Sequence, residues 1–152
     1  MNNRFIYVLS LTLLFASCQQ TRYATLAPEY LFDAKGQRLI SSLIDSKKGT
    51  ISVIYGNEIA IKAAGNHSPK ALAGAEYTLV TWKQKEMPGW YGTNMNGDLY
   101  SIETLKVQGK NQQQIHLEYL FKAGHTYPKG AEAPERNGRI NLITNQPAAV
   151  FP

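Results

Sequence analysis

Along most of its length the chain alternates short apolar runs with clusters of turn-forming residues, a pattern that favours strands over helices. Leu39 to Ile44 and Thr50 to Tyr55 are two such runs. Asp45-Ser46-Lys47-Lys48-Gly49 joins them, with Gly49 free to take a positive φ, and the three pieces predict a β-hairpin. In the second strand Ile51, Val53 and Tyr55 share one face. Tyr77 to Trp82 predicts a third strand, with Thr78, Val80 and Trp82 on one side and Tyr77, Leu79 and Thr81 on the other. Asn96-Gly97-Asp98 reads as a turn, Leu99 to Val107 as a fourth strand and Gly109 to Gln113 as a polar turn. Ile115 to Phe121 is the most regular run: Ile115, Leu117, Tyr119 and Phe121 face one way, His116 and Glu118 the other.

Helical signals are few. Asn57 is placed to cap a short helix from Glu58 to Ala64, with Glu58 in the positive first turn and Gly65 at the C′ position. Pro134 at N1 and Glu135 in the first turn predict a short C-terminal helix through Ile140 and Ile143, weakened by Gly138 and ended by Pro147. The predicted fold class is α+β and β-rich: an antiparallel sheet of about five strands, a short helix after Asn57 and a short C-terminal helix. Trp82 is expected inside this domain, and Phe32 is expected to pack against it.

The N-terminus has a different pattern. Arg4 precedes an apolar run from Phe5 to Ala16, too short to span a bilayer and suited to the core of a secretory signal. It ends Leu14-Phe15-Ala16-Ser17-Cys18, which resembles the lipobox of bacterial lipoproteins. That resemblance implies removal of residues 1–17 and lipidation of Cys18. Residues 18–27 then form a polar tether and 28–152 the folded domain. Cys18 is the only cysteine, so no intramolecular disulfide is available, and lipidation removes a thiol that an oxidising compartment would attack. Several acyl chains anchor far more durably than one. The expected partner is therefore a membrane and the expected location the cell envelope; Gln19 after the cysteine, where inner-membrane retention would favour Asp, directs it to the outer membrane.

The formal charge of +5 changes little, because the basic residues are scattered and Lys47-Lys48 is the longest run. A solvated, mildly basic surface accounts for it, and no nucleic-acid partner is expected. The three histidines, His67, His116 and His125, lack the close spacing that zinc sites use, so no metal site is expected. No Gly-x-Ser-x-Gly elbow is present, and Glu76, Glu86, Glu103 and Glu118 are read as separated, solvated acids. No catalytic residue is assigned.

Several segments resemble one family. Lys48 to Ala64, KGTISVIYGNEIAIKAA, is similar to the segment T-x-x-V-x-x-G-N-D-x-A-x-x-A-A of cytochrome P-460-type domains. Leu79 to Gln84 resembles the V-T-W-x-Q strand of their exported relatives, Pro88 to Gly92 the P-H-W-F-G that follows it, and Ile143 to Pro152 their closing Q-R-x-x-V-M-P. The resemblance implies a β-rich, partly open sheet with accessory helices. Members of the family bind c-type haem through a C-terminal Cys-x-x-Cys-His and oxidise small nitrogen compounds. That motif is absent here, and Gly89 stands where the relatives carry a histidine.

The leading expectation is thus a haem-free, membrane-anchored P-460-like domain acting as a small-ligand-binding or structural module. Its pocket is expected between the Trp82 strand, the Trp90-Tyr91 loop and the helix after Asn57, with Tyr55, Trp82, Trp90 and Tyr91 as lining. Two alternatives stand beside it. One is a redox protein with non-covalent haem on His67, His125 or His116, since one imidazole suffices as an axial ligand; the other is a glycan-binding envelope lipoprotein.

Overall fold

A computed structural model describes residues 32–65, 71–86, 94–109 and 114–149. Cys18, the signal and tether, and the expected site residues His67, Trp90 and Tyr91 lie outside the described residues. Five strands form one antiparallel sheet in which every strand pairs with its neighbour in sequence. They are β1 (Arg38–Asp45), β2 (Thr50–Gly56), β3 (Glu76–Glu86), β4 (Asn94–Gly109) and β5 (Ile115–Ala123). Helix α1 (Glu58–Gly65) follows β2, and α2 (Arg136–Thr144) follows β5. The architecture is α+β and mostly strand, as the apolar pattern predicted.

The first hairpin closes as its residues suggest. Gly49 takes φ 59°, and the Asp45 carboxylate accepts from the Lys48 N–H at 3.0 Å, which fixes the turn that brings Asp45 opposite Thr50. At the other end of β2, the Asn57 Oδ1 caps α1 by accepting from the Ala60 N–H at 3.0 Å. The same oxygen accepts from the Glu76 N–H, and the Asn57 amide donates to the Gly74 carbonyl. One side chain therefore ties α1 to the start of β3.

Sheet and helices bury a single main core. Ile54, Tyr77, Leu79, Leu105 and Val107 point from the sheet toward Ala60 and Ala64 of α1 and toward Ile140 and Ile143 of α2. Both helices thus cover the same face. The opposite face carries a smaller cluster of Val53, Val80 and Trp82, with Phe32, Tyr55, Leu99 and Ile102 packed against it. β3 is consequently buried on both sides, as expected of a central strand, and its two predicted faces separate into the two clusters.

Two boundaries differ from the sequence reading. Asn96-Gly97-Asp98 is not a turn: β4 runs through it, pairing Asn96 with Gln84 and Met95 with Lys85. The ladder absorbs the irregularity as a bulge around Trp82. Gly97 is needed there because a Cβ would come within 2.9 Å of the Lys83 carbonyl oxygen, so its role is close backbone approach rather than reversal. Helix α2 begins at Arg136, later than the predicted Pro134, because Glu135 is its cap and accepts from the Asn137 and Gly138 N–H groups. A side chain at position 138 would collide with that carboxylate, 2.8 Å from a built Cβ. The glycine that weakens the helix by propensity therefore makes room for its cap.

Gly56 marks the tightest contact between α1 and the sheet, since a Cβ there would lie 2.5 Å from Ile40 Cδ1 and 2.7 Å from Ala60 Cβ. Gly56→Ala is expected to cost about 1–3 kcal/mol through overpacking, whereas Gly65→Ala, with nothing within 4 Å, should be neutral or slightly stabilising. Urea unfolding of both variants checks this; equal midpoints would refute the packing argument.

Candidate ligand-binding site

The helix-bearing face of the sheet changes character along its strands. Toward Gly56 and Val107 it is apolar and covered by helices. Toward the other end the same inward columns present Thr50 and Ser52 of β2, Thr81 of β3, and Ser101 and Glu103 of β4, cross-strand neighbours in register. A cavity of about 270 Å³ opens over this polar floor. Leu43 and Leu142 close one side, and Tyr100, Phe121 and Tyr127 form an aromatic wall.

Glu103 is the deepest polar group, 1% exposed. Isolating a carboxylate there would cost several kcal/mol, and the fold supplies three donors to offset it. Arg139 of α2 approaches as a fork, Nε to Oε2 at 2.8 Å and Nη2 to Oε1 at 2.7 Å. The Tyr119 hydroxyl of β5 donates to Oε2 at 2.8 Å. Burial, then the hydrogen bond to the Glu103 carboxylate and its charge, push the Tyr119 phenol well above its ordinary pKa. Burial acts against the Arg139 charge, but the hydrogen bond and charge of Glu103 outweigh it, and the guanidinium is held above its ordinary value. The expectation that Glu103 is a solvated acid is therefore overturned: it is buried and fully paired.

The hydroxyl floor is only partly satisfied. Ser52 and Thr81 share a hydrogen bond of 2.9 Å. Thr50 and Ser101 are 5% and 3% exposed, line the cavity, and their hydroxyls make no hydrogen bond among the described residues. Among the described residues only the Trp82 indole nitrogen is buried without a partner, so these two oxygens reach the cavity space, where water or a ligand meets them. The aromatic wall is fixed by its own contacts. The Tyr127 ring lies 4.9 Å from Tyr100 and 5.1 Å from Phe121, its hydroxyl donates to the Glu132 carbonyl, and the Thr126 hydroxyl holds the loop to the Leu99 carbonyl.

The cations around the cavity already have partners. Lys83 sits 4.7 Å over the Tyr100 ring and donates to the Lys48 carbonyl at 3.1 Å. Lys48 lies 4.0 Å from the Asp45 carboxylate, a long, exposed pair of little energetic weight. Among the lining residues Lys48 and Arg139 balance Asp45 and Glu103.

The residues expected from sequence are distributed differently. Tyr55 and Trp82 do come together, but on the face opposite α1 and the cavity. The helix after Asn57 therefore cannot close a pocket over the Trp82 side chain. Trp82 is 2% exposed, and its indole N–H has no partner among the described residues. His116 is exposed on β5. His125 is exposed beyond the strand's end, 4.0 Å from Asp98. At about 3.4 Å per residue the strand from His116 to Ala123 alone spans roughly 24 Å before the chain reaches His125, and neither histidine lines the cavity. No group of three or more metal-ligating side chains occurs among the described residues.

Glu103 and Arg139 were not singled out by motif, yet their positions carried a signal. Glu103 alternates with Ser101, Leu105 and Val107 in one inward column, and Arg139 stands one residue before Ile140 and four before Ile143 on the buried side of α2. Compared with known proteins, the chain matches no family model and no curated protein sequence.

Glu103→Gln is expected to cost about 3 kcal/mol, the low end for a broken buried pair because Arg139 keeps 24% side-chain exposure. The double change Glu103→Leu with Arg139→Met should recover much of that loss, and a double variant no better than the single would refute the account. Tyr119→Phe should cost about 1 kcal/mol. The folded state holds this phenol protonated, so its contribution is whole below a pH of about 10 and declines above it. Unfolding measured from neutral to alkaline pH should show a shallower decline in Tyr119→Phe than in the parent.

Proposed function

We propose that this protein is an envelope lipoprotein, held to the outer membrane through lipid on Cys18, whose domain is similar to cytochrome P-460 but works without haem and binds a small molecule between sheet and α2. The observation that carries this reading is a cavity of about 270 Å³ over the Thr50, Ser52, Thr81 and Ser101 hydroxyls, of which those of Thr50 and Ser101 make no hydrogen bond among the described residues. A folding core has no use for open hydroxyls, whereas a ligand site uses a few convergent polar groups in a mostly apolar lining. Binding is favoured over catalysis because Glu103, the one buried acid among the described residues, is committed to three hydrogen bonds. General acid–base work needs a group free to exchange its proton with a substrate.

The anchor is tested by metabolic labelling with a radioactive fatty acid. The parent should carry label and sediment with membranes; Cys18→Ala should carry none. Label on both would remove the lipoprotein reading. The cavity is tested by thermal unfolding across a library of small metabolites. A ligand at one hundred times its Kd adds about 2.7 kcal/mol, and Leu142→Trp, which narrows the cavity from the helix side, should abolish the gain. Stabilisation that survives Leu142→Trp would place binding elsewhere.

A further inference from the structure

Resting on the proposal that the cavity binds a small molecule, we infer that its ligand is a neutral polyhydroxylated ring, the size and chemistry of a single pyranose sugar. Four properties of the cavity converge on this chemistry.

The first is the floor. Thr50, Ser52, Thr81 and Ser101 line it with hydroxyls; Ser52 and Thr81 bond each other, while those of Thr50 and Ser101 stay open as donor and acceptor. A ligand matched to them carries groups that also do both, which is the property of an alcohol. A carboxylate would match only their donor side and an ammonium only their acceptor side.

The second is charge. The lining is formally balanced, and its buried ionic pair, Glu103 with Arg139, is engaged, while Asp45 and Lys48 cancel in charge across a loose, exposed 4.0 Å contact. Lys83 at the rim is held by the Lys48 carbonyl and the Tyr100 ring. An anionic ligand that took the Arg139 fork would forfeit two charge-assisted hydrogen bonds and leave a buried carboxylate short of donors. A neutral ligand leaves the pair intact and brings no net charge to a formally balanced lining.

The third is the wall. Tyr100, Phe121 and Tyr127 line the same cavity as the hydroxyls, with the Tyr127 ring tilted 53° to Tyr100 and 65° to Phe121. A pyranose has hydroxyls around its equator and C–H groups on its faces, so it can lay one face on a ring while its edge meets the floor. The fourth is size. About 270 Å³ is slightly below the range of drug-sized sites, which fits one ring and not a chain lying wholly inside.

The test is calorimetric titration of the full-length lipidated protein in a zwitterionic detergent with no sugar headgroup. The probes are methyl β-glucopyranoside, methyl N-acetyl-β-glucosaminide, glucuronate and benzoate. The two neutral glycosides should bind, and Ser101→Ala and Thr50→Val should each weaken them about three- to tenfold, the worth of one hydrogen bond. Glucuronate should bind more weakly than the neutral glycosides. Binding confined to glucuronate and benzoate, weakened by the same two variants, would overturn the neutral-ring inference and leave the small-molecule site standing. Glycoside binding that both variants leave unchanged would overturn the assignment of the cavity. Silence from all four probes would overturn the inference, and the metabolite screen with Leu142→Trp then decides the broader reading separately. Melting of each variant in the same detergent checks that it is folded.

Discussion

The pairing of Glu103 with Arg139 is the constraint on which the rest of the structure depends. A carboxylate in the middle of a sheet face is tolerable only if its donors arrive in fixed geometry, and the fork from α2 supplies two of the three. The cost of leaving that carboxylate uncompensated therefore sets where α2 lies. Once α2 is placed by Arg139, Ile140 and Ile143 complete the core on one side and Leu142 closes the cavity on the other. Core and cavity are two consequences of one ion pair. Replacing such a pair with apolar residues often stabilises a protein; here a substitution would also remove the polar end of the site.

Much of the fold was legible because local chemistry and global position agree. The hairpin of β1 and β2 has its turn residues, its glycine at positive φ and its alternating faces in one short stretch, and nothing distant overrules them. The same holds for Asn57, whose capping oxygen does what the sequence around it suggests. Asn96-Gly97-Asp98 misled because turn formers and bulge formers are the same residues. What distinguishes them is whether a partner strand continues alongside, and that partner, residues 84 to 86, lies eight to twelve positions before the residues it pairs with, outside the three residues that carry the turn signal. Pro134 and Glu135 misled by less, because an acidic residue just ahead of a helix serves equally as first-turn charge or as cap.

The site was less legible, for a physical reason. Aromatic residues advertise themselves, so Tyr55 and Trp82 drew attention, yet they only fill the second cluster. The polar floor is made of serine and threonine, which are unremarkable one at a time and become a surface only when three strands set them side by side in register. Glu103 looked solvated for the same reason: a lone acid between Ile102 and Thr104 carries no mark of the arginine thirty-six positions later.

The order of the strands has a consequence for how the chain comes to be folded. Since each strand pairs with the one before it, the sheet can grow by sequential pairing from the N-terminal side, with modest loop-closure entropy at each step and the longest closure the β2–β3 connection through α1. The exception comes last: α2 crosses back over the sheet, and beyond it the Ala149 N–H reaches the Ile40 carbonyl on β1. A nascent sheet consequently holds Glu103 with the Tyr119 hydroxyl but without its cation until α2 appears, and β1 and Ala149 are joined only then. The C-terminal segment acts as a closing clasp, and a chain cut short before Arg139 would have every strand and no means of keeping them folded around a buried charge.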